Sequence, residues 1–343
     1  MRAIICTSRS TARKLPRREN STASQHMMGA GLFPHFAGLW VALCPARAVP
    51  RGRPLSLMLA GERLVLFRDT HGAVQALLDR CPHRGVALSL GRVAEGLITC
   101  PFHGWRFDGA GQCRHVPWNP DAKLATLSAT APPLREIAGL IWLYTGGTAM
   151  GGPAMPETLL RQDIRVTAQD FTWNAHWTRV MENMLDTPHL PFVHAKTIGR
   201  HLRGRSSAAM EMRWQETAYG AEITARRAGE APRPGLRYYF PNIMELTIDP
   251  AGRVMRLLAV CNPAEEGKTR LTIYTLRNFA KLKLLDPLFL RANARIAAED
   301  RAIVESAQPA EAPPAGEEKS VATDAPTLAF RKLWFERIKG GAA

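Results

Sequence analysis

The sequence contains little of what marks a membrane or secreted protein. Its longest apolar runs have the length of a strand and fall far short of the ~18 residues that a membrane-spanning helix needs. The N-terminus lacks the apolar core of a secretory signal, and six cysteines among 343 residues are too few for a disulfide scaffold. We therefore expect a cytoplasmic protein with reduced cysteines and no membrane span.

Acidic residues are in the minority: 30 Asp and Glu stand against 45 Lys and Arg, which gives a formal net charge of +15. A basic excess is compatible with nucleic-acid binding, an anionic substrate or an acidic protein partner. Nucleic acid is disfavoured, because the sequence offers no basic helix and no basic patch with interleaved aromatic residues. Residues 1–34 hold six basic residues and one acidic residue and lack a hydrophobic period, which predicts a disordered basic tail.

Residues 35–147 have the pattern of an all-β domain. Short apolar runs alternate with turn residues, and several short strands in close succession are typical of a small β module. The predicted strands are Leu55–Leu59, Arg63–Arg68, Ala73–Leu78, Gly96–Cys100 and Gly139–Tyr144.

Residues 148–343 have a different pattern. Apolar residues at near-helical spacing predict a helix over Phe171–Asp186 and a second over Leu288–Ala307. Pro309–Pro326 is predicted to be a surface loop that leads to a short helix over Leu328–Ile338. Four β-like runs lie between the two long helices, at Met210–Arg226, Leu236–Ile248, Val254–Cys261 and Arg270–Phe279. The chain is therefore predicted to be α+β, with the second domain built as helix, antiparallel sheet and helix.

Two Cys-His pairs are the sharpest local feature, Cys81-Pro-His83 and Cys100-Pro-Phe-His103. A Cys2His2 zinc site and a Rieske [2Fe-2S] cluster, in which two thiolates hold one iron and two imidazoles the other, both use this ligand set. The sequence favours the cluster. Pro and Gly flank both pairs and permit tight loops, whereas a zinc finger places its two histidines together on a helix.

A second group of polar residues lies at the end of the first predicted helix: Asn183, Asp186, His189 and His194. Asp186 and His189 are spaced to share a helical face, and Pro191 breaks the helix so that both imidazoles can turn toward one ion. Two His and a carboxylate form the facial triad of non-haem Fe(II) oxygenases. The pattern fits equally well a pair of ordinary histidines at a helix C-terminus, where the dipole favours them.

The late helix offers Glu299, Asp300 and Glu305 as a third ligand. Asp300 shares a face with Ile296 and Val304, which predicts that it points to the interior. Glu299 lies about 100° around the helix and is expected on the solvent face.

With both groups in place, the chain resembles the Rieske non-haem iron oxygenases, specifically their terminal oxygenase α subunits. The motifs C-P-H-R-G…C-P-F-H-G-W, N-x2-D-x2-H-x4-H and E-D-x2-I-V-E occur in this order between Trp40 and Gln308. The compact length and the closing segment 324–338 make the chain most similar to the α-only branch, which includes vanillate O-demethylase and dicamba monooxygenase.

The resemblance implies an all-β Rieske domain at 35–147 and a helix-grip catalytic domain at 148–343. It implies that Asp186 bridges His189 to the cluster histidine at the His103 position of a neighbouring subunit, within a homotrimer, and that Asn183 lies near the iron. Glu182 is left out of the site. The implied ligands are Cys81, Cys100, His83 and His103 for the [2Fe-2S] cluster and His189, His194 and Asp300 for a mononuclear non-haem Fe(II).

The implied function is the oxygenase component of a multicomponent system. It would use O2 and external electrons to hydroxylate or O/N-demethylate a small to medium aromatic or apolar molecule. Electrons would come from NAD(P)H through a separate ferredoxin and/or flavin reductase, since no nicotinamide fingerprint follows a strand here, and Arg80, Arg84, Arg92, Arg106 and Arg114 would form a face for an acidic donor. The alternative is a Rieske-type electron-transfer protein without oxygenase activity. Pocket candidates, each also a core candidate, are Phe240, Ile243, Met244, Leu246 and Leu258.

Overall fold

The structure, a computed structural model, describes residues 32–33, 36–202, 209–227, 229 and 233–340. These residues belong to one compact unit. Residues 1–31 and 34 of the predicted basic tail lie outside the described residues. Phe33 is described and is fully buried in the main core, so the packed part of the chain begins before the predicted boundary after residue 34.

Short antiparallel strands make up the first half of the chain. They are β1 Trp40–Pro45, β2 Leu55–Leu59, β3 Glu62–Arg68, β4 Val74–Leu78, β5 Arg92–Ala94, β6 Leu97–Thr99, β7 Arg106–Phe107, β8 Cys113–His115, β9 Leu134–Ile137 and β10 Leu140–Tyr144. They form sheets with the strand orders β1-β10-β9, β2-β3-β4 and β5-β6-β7-β8. The predicted strands are present, with bounds that differ by no more than one residue.

One large antiparallel sheet and four helices make up the second half. The strands are β11 Arg165–Trp173, β12 Met210–Thr217, β13 Gly220–Arg227, β14 Arg233–Tyr239, β15 Ile243–Thr247, β16 Met255–Pro263 and β17 Thr269–Arg277. The helices are α1 Trp177–Leu185, α2 Leu190–Val193, α3 Asp286–Val304 and α4 Ala325–Leu333, the last extended by a π-helical turn at Trp334–Lys339. The sheet order is β11-β17-β16-β15-β14-β13-β12, which confirms the predicted α+β fold.

Several predicted segments differ from the structure. The expected helix over Phe171–Asp186 begins only at Trp177, because its first three residues belong to β11, which pairs with β17 up to Trp173. The two longest β-like runs each fold into a pair of strands rather than one, since Thr217 turns back at Gly220 and Pro241 separates β14 from β15. The last helix starts at Ala325 instead of Leu328.

The first and last strands of the N-terminal half are buried at every residue. Such continuous apolar runs are typical of strands covered on both faces. Hydrogen bonds join β1 to the large sheet: the Asn262 side chain donates to the Ala42 carbonyl at 2.8 Å, and Arg270 donates to the Leu43 carbonyl at 3.1 Å. The two halves therefore share one core.

Helices α1 and α3 lie against one face of the large sheet. Val180 and Met181 of α1 and Ala297 of α3 are buried in the same core as Ala259 and Cys261 of β16. The apolar face of each helix thus fixes its height above the sheet, and with it the position of the polar residues at the helix ends. Among the described residues, no helix combines the length and the apolar character that crossing a bilayer requires.

Candidate metal centres and their cavity

Two loops with the same hydrogen bonds carry the Cys-His pairs. The Cys81 amide donates to the Val86 carbonyl at 2.8 Å, and the Gly85 amide donates back to the Cys81 carbonyl at 2.8 Å. In the second loop the Cys100 amide donates to the Trp105 carbonyl at 2.8 Å, and the Gly104 amide donates back to the Cys100 carbonyl at 3.1 Å. Gly85 and Gly104 have φ values of 70° and 73°, a left-handed conformation that favours glycine.

The side chains of these loops separate by depth. Cys81 and Cys100 are buried, while His83 and His103 are exposed. The two imidazole rings lie 4.6 Å apart, and His83 stacks on Trp105 at 4.5 Å. Burial raises the pKa of the Cys81 thiol to about 11, so a thiolate here needs a cation beside it. Two inner sulfurs and two outer nitrogens on loops fit a Rieske cluster better than a zinc finger.

Asp79 anchors the first of these loops, a role that the sequence analysis did not assign. Its carboxylate is buried and accepts hydrogen bonds from the Ser89 amide at 2.7 Å and the Ser89 hydroxyl at 2.6 Å. The Arg63 guanidinium lies 3.1 Å from the same carboxylate. An acidic residue directly after a buried strand, two positions before Cys81, was the available signal.

The second group converges on one point. The nearest donor atoms of His189, His194 and Asp300 all lie within 4.8 Å of one another. Asp300 Oδ1 is 3.0 Å from His194 Nε2 and 3.5 Å from His189 Nε2, yet it is buried and has no hydrogen-bond partner. Three lone-pair donors that face one another in this way fit a metal ion.

The local fold that brings the histidines together differs from the expected kinked helix. Helix α1 ends at Leu185, and Asp186 caps it in an extended conformation. His189 and His194 flank the four-residue helix α2. Pro191 lies in the first turn of α2, where proline is tolerated, so it does not break a helix. Asp186 still reaches its neighbour: its Oδ1 lies 3.7 Å from His189 Nδ1.

The position of Glu299 differs from the expected one. It was expected on the solvent face, but its Oε2 lies 2.9 Å from His194 Nδ1 and accepts a hydrogen bond from the Thr197 hydroxyl at 2.6 Å. Burial of His194 disfavours its protonated form, but the nearby carboxylates of Asp300 and Glu299 outweigh this effect and raise its pKa. A helical wheel could not reveal this role, because the turn after His194 covers Glu299 only in the folded chain.

A cavity of about 330 Å³ opens beside the second group. Its polar end is formed by Asn183, Asp186, Thr187 and the three converging residues. The remaining wall is almost entirely aliphatic and includes four methionines, Met184, Met210, Met212 and Met244. Of the five pocket candidates, Met244 and Leu246 line this cavity, whereas Ile243 and Leu258 belong to a separate core cluster and Phe240 lines another depression.

Glu182, which was left out of the site, belongs to a buried ion network. It accepts a hydrogen bond from Arg331 of α4 and another, at 3.0 Å, from Arg179. Glu318 accepts from the same two arginines, at 2.7 Å from Arg179 and 2.6 Å from Arg331. The network ties α1 to the C-terminal helix. Sequence patterns gave no sign of it, because Glu182 and Arg331 are 149 positions apart in the chain.

Two family models match the chain. A model of the Rieske [2Fe-2S] domain matches residues 39–128, and a model of the vanillate O-demethylase oxygenase C-terminal domain matches residues 173–339. The fold and the models together define a chain in which a Rieske domain precedes an oxygenase-type C-terminal domain. The chain belongs to the Rieske oxygenases.

Curated relatives agree with this family. The chain is 38% identical over 147 residues to the 3-chlorobenzoate-3,4-dioxygenase oxygenase subunit of Comamonas testosteroni, covering 42% of this chain and 34% of that protein. It is 36% identical over 145 residues to the dicamba O-demethylase oxygenase component of Stenotrophomonas maltophilia, covering 41% of this chain and 43% of that protein. The match thus spans less than half of the length of either relative.

Solved structures share the fold. NdmA of Pseudomonas putida CBB5, as its QL mutant with caffeine, superposes with a TM-score of 0.75 at 23% identity and covers 88% of this chain and 90% of that one. Dicamba monooxygenase bound to dicamba superposes with a TM-score of 0.72 at 22% identity and covers 90% of this chain and 98% of that one. At this identity the likeness concerns the fold alone.

Proposed function

We propose that the chain is the oxygenase component of a multicomponent Rieske non-haem iron oxygenase. It would use O2 and external electrons to hydroxylate or O/N-demethylate a small to medium aromatic or apolar substrate. The observation that carries the proposal is the convergence of His189, His194 and Asp300 at the polar end of an apolar cavity. A pure electron carrier, the alternative function, has no use for a metal site beside a cavity.

In this proposal Cys81, Cys100, His83 and His103 hold a [2Fe-2S] cluster, and His189, His194 and Asp300 hold a mononuclear iron. When bound, the cluster would supply one-electron transfer and the iron the activation of O2. The chain supplies position and environment for that chemistry. The aliphatic wall removes water from the substrate, while Asn183 and Thr187 are the polar groups of the cavity's metal end that are free of a ligand role.

Asp186 is the proposed link between the two centres. Its side chain keeps 36% of its surface exposed while its carboxylate approaches His189. The cluster histidines are also exposed, and the apolar side chains of Phe102 and Trp118 stand beside them at 57% and 98% exposure. We propose that this face contacts the Asp186 region of a neighbouring subunit in a homotrimer.

An electron donor is the second proposed partner, in the form of a ferredoxin or flavin reductase that draws on NAD(P)H. Three of the five arginines near the cluster loops already lie in ion pairs: Arg80 with Glu62, Arg106 with Glu95 and Arg114 with Asp108. Arg84 and Arg92 are exposed and leave a smaller basic face than the sequence suggested. Turnover with an acidic donor should fall with rising ionic strength; an unchanged rate would remove this role from the arginines.

The cavity limits the size of the substrate. An apolar cavity of about 150 Å³ binds one benzene molecule, so about 330 Å³ suits a molecule of about two fused rings. The aliphatic wall offers shape and apolar area rather than hydrogen bonds, which favours a compact apolar body whose reacting group points to the metal end.

Iron analysis and one variant test the function. The oxygenase should contain about three irons per chain, whereas the electron carrier should contain about two. Asp300→Ala should keep the red-brown colour of the cluster, lose the third iron and form no product by mass spectrometry. Glu305→Ala, just beyond the end of the same helix, should behave as the unaltered protein. Full iron content and turnover in Asp300→Ala would contradict the assignment.

A further inference from the structure

The two candidate ligand histidines are held unequally. His194 Nδ1 lies 2.9 Å from a carboxylate oxygen of Glu299, within hydrogen-bond distance. His189 Nδ1 lies 3.7 Å from Asp186 and has no hydrogen-bond partner. The imidazole of His194 is therefore held by a hydrogen bond to Glu299, whereas that of His189 has Asp186 nearby without a hydrogen bond.

Burial strengthens this difference. The His194 side chain is 1% exposed and Glu299 is 22% exposed, whereas His189 and Asp186 are 15% and 36% exposed. A hydrogen bond to a carboxylate in a low-dielectric interior is stronger than one near water.

A second contact fixes Glu299 itself. The Thr197 hydroxyl donates to the same Oε2 at 2.6 Å, and the Thr197 amide donates to the His194 carbonyl at 2.9 Å. On the solvent side, Arg295 approaches the other oxygen only to 3.9 Å and is itself 64% exposed. The turn after His194 is thus tied to α3 through one carboxylate oxygen.

Consecutive residues of α3 reach both nitrogens of one imidazole. Asp300 faces His194 Nε2 at 3.0 Å, and Glu299 faces Nδ1 at 2.9 Å. When Nδ1–H donates a hydrogen bond to Glu299, the lone pair of Nε2 is left for a metal ion, and the ring is held against rotation.

We infer that Glu299 is a positioning residue that, with Thr197, fixes the tautomer and ring orientation of His194 and so sets how tightly the mononuclear site binds its metal. This inference rests on the proposed function, because it takes His194 to be a metal ligand. It separates the two carboxylates: Glu299 serves metal binding, and Asp186 does not.

Metal affinity of the cluster-loaded protein tests the inference. After a chelator has removed the mononuclear metal, Co²⁺ is titrated in and followed by its visible absorption. Glu299→Leu should bind Co²⁺ about 10- to 100-fold more weakly than the unaltered protein, the usual cost of losing such a partner. Glu299→Gln keeps an acceptor oxygen, so its Co²⁺ affinity should lie between that of Glu299→Leu and that of the unaltered protein. Asp186→Asn should bind as the unaltered protein does.

Glu305→Leu is the matched control. Glu305 lies just beyond the end of α3 and has an arginine four residues before it, as Glu299 does, but it contacts the Asn174 amide instead of a histidine. If Glu299→Leu binds Co²⁺ within about threefold of this control, or if Asp186→Asn weakens binding as much, the inference is overturned. A merely structural role would lower the melting temperature and leave the Co²⁺ affinity unchanged, which would overturn it too.

Two further results keep the test decisive. If Glu299→Leu does not fold, Thr197→Val decides in its place: it removes one partner of the carboxylate and should weaken Co²⁺ binding, and unchanged binding refutes the inference. If the unaltered, cluster-loaded protein binds no Co²⁺, the proposed mononuclear site is itself wrong and the inference falls with it. Binding by the unaltered protein with no effect of either variant refutes only the role of Glu299.

Discussion

Replacement of Arg331 by Met should destabilise the chain through the buried ion network. The Arg331 and Glu182 side chains are 8% and 11% exposed, so the variant leaves a carboxylate in the interior with one of its two arginine partners. Breaking a buried ion pair costs about 3–5 kcal/mol. Because Arg179 remains bound to Glu182 at 3.0 Å, we expect the lower end, about 3 kcal/mol.

Urea unfolding measures this loss directly, and thermal unfolding should show it as a drop of about 6–12 °C, at about 2–4 °C per kcal/mol for a large domain. Arg213→Met is the control, because Arg213 is 68% exposed in its pair with Glu211 and such surface pairs contribute at most about 1 kcal/mol. A second substitution, Glu182→Gln, should reduce the cost of Arg331→Met, since the stranded charge is then absent. A loss below about 1 kcal/mol in Arg331→Met, or equal losses in both arginine variants, would refute the reasoning.

Two further predictions follow from the site and its surroundings. Asp186→Asn should retain cluster and iron by metal analysis but slow product formation severely; a normal rate would remove the bridging role. Hydrogen bonds from Arg179 and then Arg331 lower the pKa of Glu318 from 4.5 to about 2. Its contribution to stability is therefore full above pH about 4.5 and is lost as the pH falls through about 2. Glu318→Gln should reduce the fall of the urea midpoint between these pH values, and an unchanged fall would contradict the assignment.

Sequence patterns predicted the fold well where a short motif or an alternating run decides it. The cluster loops were placed correctly after their strands, because Cys, Pro and Gly constrain a tight turn locally. The last three residues of β11 were taken for part of a helix, since Trp173 and Trp177 are four residues apart, a spacing that both the helical and the strand period allow. Only pairing with β17 decides between them, and pairing is a long-range property.

The residues that line the cavity could likewise be predicted from the sequence only in part. Residues of β15 alternate between two faces, so Met244 and Leu246 line the cavity while Ile243 lies in the opposite cluster. The alternation is visible in the sequence, but which face receives the helices is not. Asp300 was expected on the interior face and is buried there, whereas Glu299 depends on a turn more than 100 residues earlier in the chain.

The burial of β1 and β10 has a consequence for how this chain can be taken apart. Pro45 is paired with Leu140, and the Ala46 amide donates to the Gly139 carbonyl at 2.8 Å, so the stretch 46–139 begins and ends at one place. The cluster-bearing stretch between them is topologically an insert, and insertion at such adjacent ends is what folded domains tolerate best. A chimaera that exchanges residues 46–139 keeps β1 and β10, but the incoming stretch must also supply the apolar side chains that this one adds to the same core, among them Leu59, Leu64 and Leu78. A chimaera cut at a linker beyond β10 would remove both buried strands.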